Sequence, residues 1–136
     1  MTKRNFQMII AQSIEDSEDG VATIKNPTLS LGMKYIPSNV TFDVMLILDS
    51  VEINKESMHV KTWVERIGGD AIQESTIEFD ISNNPNDNQH LGSNISRLQF
   101  INVPFEQEGD YKIVAQVDEE TFGHNFRIFK LTPVNK

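Results

Sequence analysis

From Phe105 to Leu131 the chain alternates with a period of two on both sides of an acidic turn, and this constrains the fold more than any other stretch. In the run Gly109 to Val117, the residues Tyr111, Ile113, Ala115 and Val117 form one apolar row. Successive side chains of a strand point to opposite faces, so these four are expected to face a core. Asp118-Glu119-Glu120 supplies turn residues, and Thr121 to Leu131 reads as the returning strand of a C-terminal hairpin.

The same period recurs upstream. Phe6 to Ile14 and Val21 to Ile24 flank an acidic turn cluster ending in Gly20, which predicts an N-terminal hairpin stopped by Asn26-Pro27. Leu29, Leu31, Met33 and Tyr35 alternate over a short edge strand. Val40 to Leu48 has apolar residues at every even position and at several odd ones, as a central strand covered on both faces would. Met58 to Glu65 and Ile72 to Ile81 follow as strands, the second with Glu74, Thr76, Glu78 and Asp80 on its outer face. Asn83 to Asn94 reads as an exposed loop, Ile95 to Val103 returns to strand, and Pro104 punctuates. No run of ten residues holds helical spacing without a breaker or a competing period of two.

With 136 residues, 38% hydrophobic and 24% charged, the chain has the size and composition of one globular domain spanning residues 1–136. The formal net charge of −8 would repel nucleic-acid phosphates and anionic lipid, so neither direct nucleic-acid binding nor membrane binding is expected. There is no cysteine, hence no disulfide and no thiolate nucleophile, which suits a reducing cytoplasm. The apolar stretch near the N-terminus is broken by Gln7 and Gln12 and is too short for a secretion signal.

Chemistry-bearing patterns are sparse. His59, His90 and His124 fall on separate elements with no ligand spacing between them, so no metal is expected. A calcium loop beginning at Glu15 would put Ser17, Asp19 and Gly20 in register, but Asn26 then stands where a bidentate Glu is required. No nucleophile elbow, phosphate-binding loop or dinucleotide fingerprint is present, so no enzymatic activity and no cofactor are expected. Acid is concentrated in two places: Glu15, Asp16, Glu18 and Asp19 in the N-terminal turn, and Glu106, Glu108, Asp118, Glu119 and Glu120 around the C-terminal hairpin. Gathered at one end of a sandwich, these nine would form a negative patch for a protein partner with a basic surface.

Gly109-Asp110-Tyr111-Lys112-Ile113 resembles the approach to strand F of immunoglobulin-type domains. The resemblance implies that the Tyr111 hydroxyl bonds back to upstream backbone, that Ile113 takes the place of the core cysteine, and that Trp63 corresponds to the core tryptophan of strand C. Gln107 stands where that family usually has Asp. More widely, Phe6 to Ile14, Thr23 to Pro27, Pro37 to Leu48 and the residues Phe105, Gly109, Tyr111 and Val117 resemble a family of small immunoglobulin-like proteins of unknown function from bacteria, their phages and prophages. That family has no catalytic residues to carry over.

These readings converge on an all-β, immunoglobulin-like antiparallel β-sandwich of eight or nine strands with N-terminal and C-terminal hairpins. The function they imply is a non-enzymatic protein–protein interaction module, an acidic cytoplasmic accessory protein of phage or prophage type. Two alternatives stay open. One is a virion decoration or assembly domain that oligomerises by edge pairing; the other is a carbohydrate- or small-molecule-binding sandwich with Trp63 or Tyr35 as a stacking platform.

Overall fold

A computed structural model of the chain describes residues 5–17, 21–49, 57–82 and 93–132. Within them run nine strands and no helix: β1 (Phe6–Asp16), β2 (Ala22–Thr28), β3 (Ser30–Met33), β4 (Ser38–Asp49), β5 (Ser57–Arg66), β6 (Ala71–Ser82), β7 (Ser93–Phe105), β8 (Gly109–Val117) and β9 (Glu120–Lys130). They form a four-stranded sheet ordered β2-β1-β4-β7 and a five-stranded sheet ordered β3-β9-β8-β5-β6. The predicted loop from Asn83 to Asn94 lies mostly outside the described residues, as does Gly20.

The two sheets share one core, so the fold is sandwich-like. Met8, Ile10, Phe42, Val44, Leu46 and Leu48 of the first sheet belong to the same buried cluster as Val60, Val64, Ile113, Ala115, Phe126 and Ile128 of the second. Phe42 lies 6.0 Å from Phe126 across the layers, and Phe105 meets Tyr111 edge-on at 5.1 Å. Offset and edge-on aromatic contacts of this kind add to area burial. The inward row expected of β8 is realised, with Tyr111, Ile113, Ala115 and Val117 all buried. Tyr111 donates its hydroxyl hydrogen to the Gln107 carbonyl at 2.7 Å, fixing the corner through which the chain passes from one sheet to the other.

Both hairpins form. β1 and β2 pair antiparallel from Ile10↔Thr28 to Asp16↔Ala22, and β8 and β9 pair from Gly109↔Ile128 to Val117↔Glu120. The C-terminal turn is the tight pair Asp118-Glu119, with Asp118 at φ +52° in the left-handed region that Asp tolerates. Glu120 already belongs to the returning strand. β4 sits between β1 and β7 with Phe42, Val44, Leu46 and Leu48 buried on one face and Met45 on the other, as a central strand should.

Three expectations are corrected. Pro27 does not stop the N-terminal hairpin, because it pairs with Ala11 inside β2; Pro104 likewise sits inside β7 opposite Asn39. Both strands lie at the edge of their sheet, where a residue with no N–H costs no ladder bond on the open side. The sandwich is also not wholly antiparallel. β3 leaves the sheet of β2 and pairs parallel with β9, from Ser30↔Arg127 to Met33↔Lys130. Finally, Trp63 is not a core residue: β5 buries Met58, Val60, Thr62 and Val64, so Trp63 has outward parity and is only half-buried, with Lys61 Nζ 5.8 Å from its ring centroid.

Two irregularities are held by side chains. Where β4 and β7 slip register at Val40/Phe42, Asn102 takes φ +50° and its N–H donates to Thr41 Oγ1 at 2.9 Å. Where β5 and β6 slip at Thr62/Val64, the buried Ser75 hydroxyl accepts the Val64 N–H at 2.8 Å and reaches the Ile72 carbonyl. In each case the side chain replaces a ladder bond that the bulge removes.

Candidate functional site

The topology spreads the acidic residues over separate parts of the sandwich. β7 ends at Phe105 against Ser38 and β8 starts at Gly109, which puts Glu106 and Glu108 at one end. The end of β1, by contrast, leaves the β4 ladder beyond Ala11 and packs Ile14 against Met45 on the outer face of the first sheet, where Asp16 reaches Arg97. Asp118, Glu119 and Glu120 lie at the far end of β8, a nine-residue strand. At about 3.3 Å per residue the two groups are about 30 Å apart. Glu18 and Asp19 lie outside the described residues.

Several of these acids already have partners. Glu15 pairs with Lys25 at 3.2 Å and Asp16 with Arg97 at 3.4 Å. Glu108 accepts the Lys130 N–H at 2.6 Å, and Asp118 brackets the end of β5, accepting the His59 N–H at 3.3 Å and donating its own to the His59 carbonyl at 3.0 Å. The acidity seen in the sequence therefore serves, in good part, to tie down turns and strand ends.

A different feature stands out on the side where the chain crosses from β2 to β3. A cleft of about 470 Å³ opens there between the sheets, lined by Met8, Ile9 and Ile10 of β1, Pro27 and Thr28 of β2, the crossing residue Leu29, and His124 of β9. Its position follows from sequence. The pairing of β2 with β1 runs through Pro27 to Thr28, opposite Ile10, and Leu29 just beyond it is held where Arg127 donates its N–H to the Leu29 carbonyl at 3.0 Å. His124 takes an inward position because it alternates with Phe122 and Phe126. Its Nε2 is the one buried side-chain nitrogen or oxygen without a hydrogen-bond partner among the described residues. Leaving such an atom unpaired costs about 1–3 kcal/mol, so the arrangement calls for an explanation.

Sequence spacing alone did not single out His124, although the signal was present. A histidine in an inward slot of an otherwise aromatic and aliphatic row is a polar group placed where apolar ones belong. His59 is the contrary case, an exposed residue of β5 opposite Asp80. Its Nδ1 is 2.9 Å from Asp80 Oδ1 and its Nε2 is 3.1 Å from Glu78 Oε1. Among the described residues no group of three or more His, Asp or Glu could hold a metal, and His90 lies outside them.

The two imidazoles are pushed in opposite directions. Hydrogen bonds to Asp80 and then Glu78 raise the pKa of His59 above the ordinary 6.5, whereas burial lowers that of His124 below it. In a ring-nitrogen NMR titration, His59 is expected to protonate at higher pH than a free histidine and His124 at lower pH; a shared midpoint near 6.5 would contradict the geometry. The folded chain binds the His59 proton more tightly than the unfolded one, so that contribution to stability is complete below pH 6.5 and fades as pH rises through the raised value. For His124 the contribution is complete above pH 6.5 and is lost as pH falls through the lowered value.

A third feature is apolar and exposed. Of the eight large hydrophobic residues that stand in solvent among the described residues, four flank the β3 edge: Leu29, Tyr35, Phe129 and Leu131, exposed by 67%, 72%, 37% and 47%. Phe129 and Leu131 lean over Gly32 of β3, where an added Cβ would come within 2.8 Å of both. An aromatic side chain laid over an edge glycine covers the backbone that the missing Cβ leaves open. Compared with known proteins, the chain matches no family model and no curated sequence. No helix among the described residues is long and apolar enough to cross a membrane.

Proposed function

We propose that the protein is a non-enzymatic, immunoglobulin-like interaction module that binds another protein through the β3 edge, acting in the cytoplasm as an accessory factor of phage or prophage type. The observation that carries the binding reading is the concentration of exposed Leu29, Tyr35, Phe129 and Leu131 around that one short edge strand. Contiguous apolar surface on a monomer marks an interaction site more often than scattered residues do. The −8 net charge adds a preference for a partner with a basic rim around an apolar centre.

The immunoglobulin-like reading is supported by the Tyr111 corner, by β8 lying between β9 and β5 as strand F lies between G and C, and by the pairing of β4 with β7 as B pairs with E. The outward Trp63 and the added β1–β2 hairpin are departures from that pattern.

The test uses the full chain with a photo-crosslinker placed at Tyr35 or, as a control, at Glu119 of the far end. A partner captured from position 35, and bound about tenfold more weakly by the Tyr35→Ser/Leu131→Ser double variant, supports the reading. Capture from position 119 alone, or unaltered binding by the double variant, overturns it. Light scattering that shows a stable trimer or larger ring would support instead an assembly domain of a virion.

A further inference from the structure

We infer that the β3 edge docks a second copy of this chain, the two β3 strands running antiparallel about a two-fold axis at Gly32. The pairing rests on the reading of that edge as an interaction surface and gives the edge its occupant when the chain is alone.

The backbone sets the register. Arg127 donates its N–H to the Leu29 carbonyl and Leu131 donates its own to the Met33 carbonyl, so in the parallel pairing with β9 the odd-numbered residues of this stretch direct their backbone polar groups at β9. Ser30 and Gly32 therefore turn theirs to the open side. Those of Ser30 are already taken, because the Thr28 hydroxyl donates to the Ser30 carbonyl at 2.6 Å and accepts the Ser30 N–H at 3.0 Å. Among the described residues, Gly32 is then the one position of β3 whose N–H and C=O still face outward unmet. Two residues facing each other in an antiparallel pair exchange both N–H···O bonds, and a residue facing its own copy across a two-fold axis does the same.

The side chains share that symmetry. Leu29 and Tyr35, the most exposed large apolar residues among those described, bracket β3 at equal distances in sequence from Gly32. About an axis at Gly32, Leu29 of each copy comes to the strand end where the other has Tyr35, the reciprocal match of an isologous interface. Phe129 and Leu131 already lean over Gly32, so those of the two copies converge above the paired glycines. A second copy uses this symmetry about one glycine; a foreign strand does not.

Charge favours the same place. The chain carries −8, so two copies repel over most of their surfaces. Beside β3 the charges are close to balance. Lys34 follows the strand, Arg127 opposite Ser30 is paired with Asp110 at 3.2 Å, and Lys130 opposite Met33 has the Glu108 carboxylate on its N–H. The Thr28 cap keeps the new ladder short and the two-fold axis closes the assembly, so the product is a dimer rather than a fibre.

The full chain alone, followed by sedimentation velocity over a range of concentrations, is expected to pass from monomer to dimer and no further. Leu29→Lys, a change at an exposed position, should weaken the dimer about tenfold or more with the thermal midpoint unchanged. Leu29→Lys/Tyr35→Glu should recover it, because the ammonium of each copy then meets the carboxylate of the other. The chain has no cysteine, so the register can be read directly: oxidising a mixture of the Leu29→Cys and Tyr35→Cys variants should link position 29 to position 35 in preference to like positions. A chain monomeric up to about 1 mM, a trimer or larger ring, or an excess of like-to-like crosslinks would overturn the inference. A monomer that still captures a foreign partner from position 35 would overturn it while leaving the β3-edge reading in place.

Discussion

Phe42→Ala is expected to lower the free energy of unfolding by about 3–5 kcal/mol, read as a fall in the denaturation midpoint with the slope unchanged. Phe42 is fully buried in β4 and its ring touches aromatic rings from both sheets: Phe100 at 5.2 Å, Phe105 at 6.5 Å and Phe126 at 6.0 Å. Truncation removes the transfer energy of the ring and leaves a cavity whose walls are strands locked by their own ladders and unable to collapse. Domains of this size are stable by about 5–15 kcal/mol, so the loss is a large share of the total. Phe42→Leu, which refills most of the volume, should cost clearly less. A Phe42→Ala loss below about 1 kcal/mol would mean that the two sheets do not share this core.

Asp43→Ala should cost about 1.5–3 kcal/mol for a different reason. Asp43 is a buried charged residue of β4, and its Oδ2 accepts the Ile14 N–H at 2.7 Å. The Ile14 carbonyl is in turn held by Arg97 Nη1 at 2.8 Å. Removing the carboxylate strands a buried N–H at the point where β1 bends away from β4 beyond Ala11↔Asp43. Asp43→Asn keeps an acceptor oxygen and should cost less than half as much as Asp43→Ala in the same denaturation experiment. Equal losses for the two variants would show that side-chain volume, rather than the hydrogen bond, is what matters there.

Neither residue was prominent in the sequence, for different reasons. Phe42 lay in a run recognisable as a core strand, since Val40 to Leu48 announces burial by its even positions. What the run could not disclose was that Phe42 would face Phe126 of the other sheet, 84 residues later in the chain. Asp43 falls on an odd position beside Thr41, where the run begins polar, and nothing local in the sequence marks it as buried. It is buried because β1 bends over it and needs an acceptor for Ile14.

The candidate sites show the same division. The acidic residues were fully legible as composition, yet their grouping was not, because sequence proximity to a turn does not say at which end of a sandwich the turn lies. Asp118 to Glu120 and Glu106 to Glu108 are close in sequence, but one nine-residue strand carries them to opposite ends. Trp63 was placed in the core by resemblance; its own neighbours Lys61 and Glu65 already shared its parity and belonged to the outside. His124 lay in an inward slot of β9, but only the packing of β1 and the β2–β3 crossing against it left its Nε2 without a partner.

The sequence by itself determined where the strands run, which face of each is apolar, and that two of the connections are hairpins, because a period of two and turn-forming residues are local properties of the chain. Only the tertiary structure decided which strands are neighbours and that β3 changes sheets to lie parallel to β9. The cleft beside that crossing, and the apolar residues flanking the β3 edge, were also settled at that level. The physical reason is that strand partners are chosen by burying apolar faces against surfaces distant in sequence. A strand's own residues specify the face to be buried and leave open what will cover it.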